Sequence, residues 1–391
     1  MKKQLGTLMF VLFMIFVGFG IIIPIVPEVI RTTGASSVNL GLLMASYSIA
    51  SFLTAPFWGS LSDRKGRRPV LLTGLVGFSA SFFIFSFAND SLVLMYISRI
   101  LGGLFAGAVI PCAFAYASDI TTEENRTKAM GLLGMTIGLG FIFGPALGGL
   151  LSSVSLFFPF TISGILALIM TTFAFFALPE SLQREKISQE KKTTLQDFNT
   201  DFKGAMKYLY LLSFFGTFTL AGLEATFQFF QIERIDVTPT MIGWMFMASG
   251  LTQAVIQGGV LQRFKQGNEK KLIAVGLIVS AVGFASILFS SNLFNATVFL
   301  CIFTAGNALI RPCVLALITL KTNIGYGSAS GINSSMDSLG RIFGPLMGAF
   351  AFELNSMYPF LIGAVLTFGA LLLLQRHITL DYSPNEITPS S

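Results

Sequence analysis

Five ionisable residues lie inside long apolar stretches of the chain: Arg99, Glu224, Arg311, Asp337 and Arg341, with Glu28 near the edge of another. A charge inside an apolar span is costly, so such a residue marks a place where protons, ions or charged ligands are handled. Glu224 sits in Leu220-Ala221-Gly222-Leu223-Glu224-Ala225-Thr226-Phe227-Gln228. A carboxyl held away from water resists ionisation, so a residue of this kind can take up and release a proton near neutral pH. Its charge can also attract a cation. The plainer alternative is a structural Glu bonded to a polar neighbour. Asp337 and Arg341 are four residues apart and share a helix face. Two readings stand side by side: a mutually neutralising pair, or a proton-sensitive switch that opens when Asp337 is protonated. Arg311, four residues after Asn307, can reach Asp337 from another segment instead. Arg99 keeps its charge at every accessible pH. It therefore tunes a carboxylate rather than titrating, or it snorkels to the interface.

The elements that must hold these residues follow from composition. Of 391 residues, 53% are hydrophobic and 11% charged, with 41 Phe and 39 Gly. A soluble domain carries about 25% charged residues, so a soluble enzyme is excluded, as are collagen, disorder and a disulfide scaffold. At roughly 20 apolar residues per span, the chain has room for about twelve membrane helices. Apolar runs fall at 7–29, 39–61, 69–88, 92–117, 128–153 and 157–178, then at 206–231, 240–262, 270–291, 293–318, 326–352 and 356–375. The expected fold is all-α: a polytopic membrane protein of twelve transmembrane helices in two pseudo-symmetric six-helix bundles. The bundles occupy residues 1–178 and 206–376, with a cytoplasmic linker at 179–205 and a cytoplasmic tail at 377–391. The run after Met1-Lys2-Lys3 is too long for a signal peptide and reads as the first span.

Charge sets the orientation. With the N-terminus inside, 20 of the 25 Lys and Arg residues fall in inner segments and two, Arg31 and Arg234, outside. This positive-inside asymmetry places both termini in the cytoplasm. The net charge of +6 lies in short loops, which argues for a lipid bilayer and against nucleic acid. Cys112, Cys301 and Cys313 lie in apolar runs without metal-ligand spacing and read as fillers. No G-x-x-x-x-G-K-[ST] loop occurs, and the one histidine, His377, follows the last apolar run. An ion gradient is then the expected source of energy, without cofactor or metal and without a histidine relay.

The two halves repeat at an offset of 200. Gly140-Phe141-Ile142-Phe143-Gly144-Pro145 matches Gly340-Arg341-Ile342-Phe343-Gly344-Pro345, Pro159-Phe160 matches Pro359-Phe360, and Pro111-Cys112 matches Pro312-Cys313 within one residue. Six-span repeats of this kind place a substrate site near the midplane. Gly140, Gly144 and Gly148 form a small-residue stripe that lets a second helix approach closely, and Pro145 kinks the same span. Between the second and third spans runs Gly59-Ser60-Leu61-Ser62-Asp63-Arg64-Lys65-Gly66-Arg67-Arg68. There Gly59 and Gly66 are expected to permit a tight turn. Asp63 is free to pair with an Arg or a helix N-terminus, and Arg64, Arg67 and Arg68 hold the loop inside. Aromatic and Met residues crowd the seventh and eighth spans. Phe227, Gln228 and Gln253 are the lining candidates among them, since flat and adaptable surfaces suit ligands of varied shape.

The loop at 59–68 matches every defined position of G-x-x-x-D-R-x-G-R-R, and by it the chain resembles the major facilitator superfamily. Gly140-x-x-x-Gly144-Pro145-x-x-Gly148-Gly149 resembles the fifth-span signature of drug:proton antiporters within that superfamily. Gly20-Ile21-Ile22-Ile23-Pro24-Ile25-Val26-Pro27 is similar to their first-span motif. Arg99 followed by Gly102-Gly103 departs from their Arg…Gln-Gly pattern at Gly102. The resemblance extends over the whole chain and points to the NorA/Bmr-type bacterial multidrug exporters. It implies a proton-coupled antiporter that exports lipophilic, cationic drugs as a monomer, with Glu224 matching a seventh-span Glu and Arg99 a fourth-span Arg. The resemblance also implies that the fifth-span stripe seals the pathway against leak. These exporters carry an Asp where this chain has Asn307, and no charges at positions 337 and 341. The alternatives are an exporter of one metabolite, sugar or lipid precursor, or a tetracycline-type exporter. The latter carries a first-span acid near the position of Ile15.

Overall fold

The computed structural model describes residues 2–182, 202–263, 267–322 and 326–382, and every regular element among them is helical. They are α1 (Lys2–Ile21), α2 (Val26–Thr32), α3 (Ser37–Lys65), α4 (Arg67–Ser86), α5 (Leu92–Asp119), α6 (Glu123–Leu151), α7 (Phe158–Ala177), α8 (Met206–Ile235), α9 (Pro239–Val255), α10 (Glu269–Ile287), α11 (Leu293–Lys321), α12 (Tyr326–Leu354) and α13 (Tyr358–Tyr382). Ten helical stretches are long and apolar enough to cross a membrane, α1 and α2 counting as one broken span from Lys3 to Thr32. The two further long helices explain their own weaker signal. α9 has 17 residues before a π-turn at Ile256–Val260 interrupts it, and α12 carries Asp337 and Arg341. The break between α1 and α2 falls at Pro24, whose missing N–H cannot continue the ladder. Two short-range bonds, Ile23 N–H to Gly20 O at 3.1 Å and Ile25 N–H to Ile22 O at 3.0 Å, close the turn.

The described residues fall into two compact units. One contains α1–α7 and Asp236–Gly250, and the other contains α8 and the chain from Leu251 onward. Most of the expected linker (183–201, with Arg184, Lys186, Lys191 and Lys192), Lys265 and the tail residues 383–391 lie outside the described residues. The last helix runs on to Tyr382. His377 is therefore a buried helical residue, with Nδ1 2.9 Å from the Ala205 carbonyl oxygen.

Both units are built on the same device. In the first, the glycine stripe of α6 lies against α1. A Cβ on Gly144 would stand 2.6 Å from Gly20 Cα, and one on Gly148 1.9 Å from the Ile21 carbonyl oxygen. In the second, the equivalent stripe of α12 lies against α8. A Cβ on Gly344 would stand 2.3 Å from the Phe218 carbonyl oxygen, and one on Gly348 2.9 Å from that of Gly222. Lipid tails are as apolar as leucine, so helices associate through close backbone packing rather than through a hydrophobic drive. The 200-residue repeat is thus a repeat of one helix–helix contact. The other face of α6 receives the start of α9: Thr240 Oγ1 donates to the Gly149 carbonyl at 2.6 Å, and a Cβ on Gly243 would stand 2.4 Å from the Pro145 carbonyl oxygen.

Substituting Gly148 or Gly344 by Leu should destabilise the folded protein by about 3 kcal/mol or more, because backbone atoms must move. Gly134→Ala, whose added Cβ has nothing within 4 Å, should change stability by less than about 1 kcal/mol. Thermal unfolding in detergent reads both effects.

Candidate functional site

In the second unit the polar residues of α8 collect on one face. Ser213, Thr217, Glu224 and Gln228 are spaced by four, seven and four residues, the spacing of a helical stripe. Asp337 of α12 meets the first two. Its Oδ1 accepts from Thr217 Oγ1 at 2.7 Å and from Ser213 Oγ at 3.2 Å, while its Oδ2 accepts from Arg311 Nη2 at 3.0 Å. Of the two cations open to Asp337, α11 supplies the one that pairs. Arg341, expected as a possible structural partner one turn along α12, is exposed and forms no ion pair among the described residues. Arg311 reaches Asp337 from a facing helix, α11, whereas the exposed Arg341 is one of the two cations that act on Glu224. Ser213 and Thr217 escaped the sequence reading because hydroxyls are common in membrane helices. Their register with Glu224 was the available signal.

Glu224 is half-buried and makes no hydrogen bond or ion pair among the described residues. The cations that act on it electrostatically are Arg341 and Arg311. Phe227 and Gln228 are fully out of solvent, whereas Gln253 is exposed. Asn307 is buried, and its Nδ2 lies 3.4 Å from the Gly216 carbonyl oxygen, so it joins α11 to α8. It borders a small cavity with Phe215, Thr219, Ser280 and Thr367.

In the first unit Arg99 of α5 is buried, with its guanidinium 5.0 Å from the centre of the Phe85 ring. Its Nε has no hydrogen-bond partner. The cation rests on an aromatic face rather than on a carboxylate, and does not snorkel.

The loop motif forms a closed cluster at one end of the same unit. Arg67 is its centre: it donates to Ser62 Oγ at 2.7 Å, to Asp63 Oδ1, and through Nε to Asp119 Oδ2 at 3.1 Å. Arg68 donates to the Phe175 carbonyl and lies 4.8 Å from the centre of that residue's ring, while Arg64 is exposed. The turn itself corrects one expectation. Gly66 has φ +110°, and a Cβ there would stand 2.4 Å from Glu180 Oε2. Gly59 lies inside α3, where a Cβ would touch nothing within 4 Å. Only Gly66 serves the turn, because the helix continues through position 59 to Lys65. The close approach matters chemically. Glu180, just after α7, accepts from the backbone N–H of Arg67 at 2.8 Å and of Arg68 at 3.1 Å, so a carboxylate caps the positive end of α4.

A family model described as Major Facilitator Superfamily matches residues 8–325 and, in a second match, 209–390. The chain belongs to the major facilitator superfamily. It is therefore a multi-pass membrane protein of a transporter family rather than an enzyme, and its twelve-span all-α architecture is the superfamily fold. Multidrug resistance protein 2 of Bacillus subtilis (strain 168) is 36% identical over 359 residues, which cover 90% of this chain and 89% of the relative. Quinolone resistance protein NorA of Staphylococcus aureus (strain COL) is 27% identical over 381 residues, 96% of this chain and 97% of the relative. Among solved structures of the superfamily fold, the human organic anion transporter MFSD10 (TETRAN) matches with a TM-score of 0.73 at 24% identity, over 96% of this chain and 99% of that one. The nucleoside transporter NupG matches with a TM-score of 0.79 at 12% identity, over 97% and 99%.

Two substitutions test the geometry. Glu180→Gln should cost about 1 kcal/mol, the usual worth of a charge at a helix terminus. Asp337→Asn should cost about 1–2 kcal/mol, the worth of a partly solvated charged hydrogen bond. Urea or thermal unfolding in detergent measures each, and an unchanged midpoint for Asp337→Asn is the result against the Arg311 pair.

Proposed function

We propose that this protein is a proton-coupled antiporter that exports lipophilic, cationic drugs. It works as a monomer in the bacterial cytoplasmic membrane, with both termini in the cytoplasm. The observation that carries the reading is Glu224: a carboxylate inside a membrane helix that makes no hydrogen bond or ion pair among the described residues. The names of the relatives, multidrug and quinolone resistance proteins, support the substrate class.

In this reading the halves 1–178 and 206–376, joined through 179–205, rock around a central site, so that Glu224 faces either side of the membrane in turn. Ionised Glu224 holds the cationic drug on the inner side. On the outer side a proton takes the drug's place, and the protonated, neutral side chain is free to return. Release of that proton to the cytoplasm restores the starting state. Proton entry accompanies drug exit in each turn, and the gradient supplies the work. Asp337 and Arg311 act as a second, proton-sensitive element: protonating Asp337 weakens its hold on Arg311 and loosens α12 from α11. Arg99 sets the electrostatics of the first unit. The glycine stripe of α6 seals one side, and the Asp63–Arg67–Asp119 cluster holds one closed arrangement.

The test is uphill dye transport in inverted vesicles under an imposed pH gradient. Collapsing the gradient with an ionophore, or substituting Glu224→Gln, should lower uphill transport by about tenfold or more, at least 1.4 kcal/mol of coupling. Transport that persists at the wild-type rate in either case sinks the proposal.

A further inference from the structure

Gln228 stands one helical turn beyond Glu224 on the polar face of α8, and it is 1% exposed. Neither its Nε2 nor its Oε1 has a hydrogen-bond partner, and among the described residues it is the one buried side chain with two polar atoms unmet. Gln231, three residues on, is half met: its Nε2 donates to Ser290 Oγ at 3.1 Å, while its Oε1 has no partner. A buried carboxamide without partners is unfavourable, and such groups are normally completed by a ligand or an ordered water. Glu224, only half-buried, likewise makes no hydrogen bond or ion pair among the described residues. Two unmet polar groups, four residues apart on one helix, have Cβ atoms about 5–6 Å from one another.

We propose that Gln228 is a specificity-determining residue. Its carboxamide hydrogen-bonds an amine, amide or carbonyl group of the substrate while Glu224 holds the cationic centre. Preferred substrates then carry a cation and a hydrogen-bonding group about one helical turn, roughly 5–6 Å, apart. A carboxamide both donates and accepts, so it reads the presence of a polar group without demanding one polarity. Phe227 and Phe230 lie alongside it in the sequence and are fully buried. The inference rests on the export reading above, because it takes Glu224 as the cation site.

The experiment measures the binding of two probes to the purified protein in detergent. Tetraphenylphosphonium is a cation with no hydrogen-bonding atom, and ethidium is a cation with two aromatic amino groups. Gln228→Met keeps the length of the side chain and removes both polar atoms. It should weaken ethidium about tenfold, the worth of one hydrogen bond, and leave tetraphenylphosphonium within about twofold. The unfolding temperature should not fall. Equal weakening of both probes, unchanged binding of both, or a lowered unfolding temperature with ethidium binding intact would overturn the proposal and assign Gln228 to a buried water or to packing. Failure of the export reading looks different: Glu224→Gln would then bind both probes as well as the wild type does.

Discussion

Everything in the second unit turns on how a charge is met where water is scarce. A carboxylate or guanidinium inside a membrane helix must find a partner, a water or a ligand. Asp337 finds its partners within the protein: two hydroxyls from α8 and one guanidinium from α11. Glu224, on the same face of α8, is left to longer-range attraction from Arg341 and Arg311. The same helix thus presents one acid that is internally balanced and another that is open to outside chemistry. That difference separates the two acids by their partners: Asp337 is met within the protein, and Glu224 is not.

The scaffold that permits this is made of backbone contacts. α1 with α6 and α8 with α12 touch through glycines, at separations where a single added carbon would collide with a carbonyl. Close contact of this sort also fixes register, since sliding one helix by a residue replaces each glycine by a bulkier neighbour. In the second unit the register has a chemical result. It sets Asp337 beside Ser213 and Thr217, seven residues before Gly344 meets Phe218 on the same pair of helices.

Much of this was legible in the sequence, and the physical reason differs from feature to feature. The spans and the repeat could be read because apolar length and small-residue spacing are local properties. The loop motif could be read because six defined positions in ten residues leave little room for chance. The sequence leaves the partner of Asp337 open between Arg341 and Arg311, since the i,i+4 rule sees one helix and the deciding cation comes from another. Gly59 was misassigned for a related reason: a motif records which residue is present, and only φ and the surrounding atoms tell which glycine turns the chain. In the sequence Glu180 is one charge of the polar stretch at 179–205, and its capping role depends on a fold that brings the end of α7 to the start of α4.

That carboxylate has a further consequence. Besides the first N–H groups of α4, Glu180 accepts from the N–H groups of Ser181 and Leu182, both at 3.0 Å, and Ser181 Oγ donates to Asp119 Oδ2 at 3.1 Å. One side chain therefore clamps the outgoing strand of polypeptide to the same knot that Arg67 ties. The backbone just after α7 is thus held by the same carboxylate that caps α4.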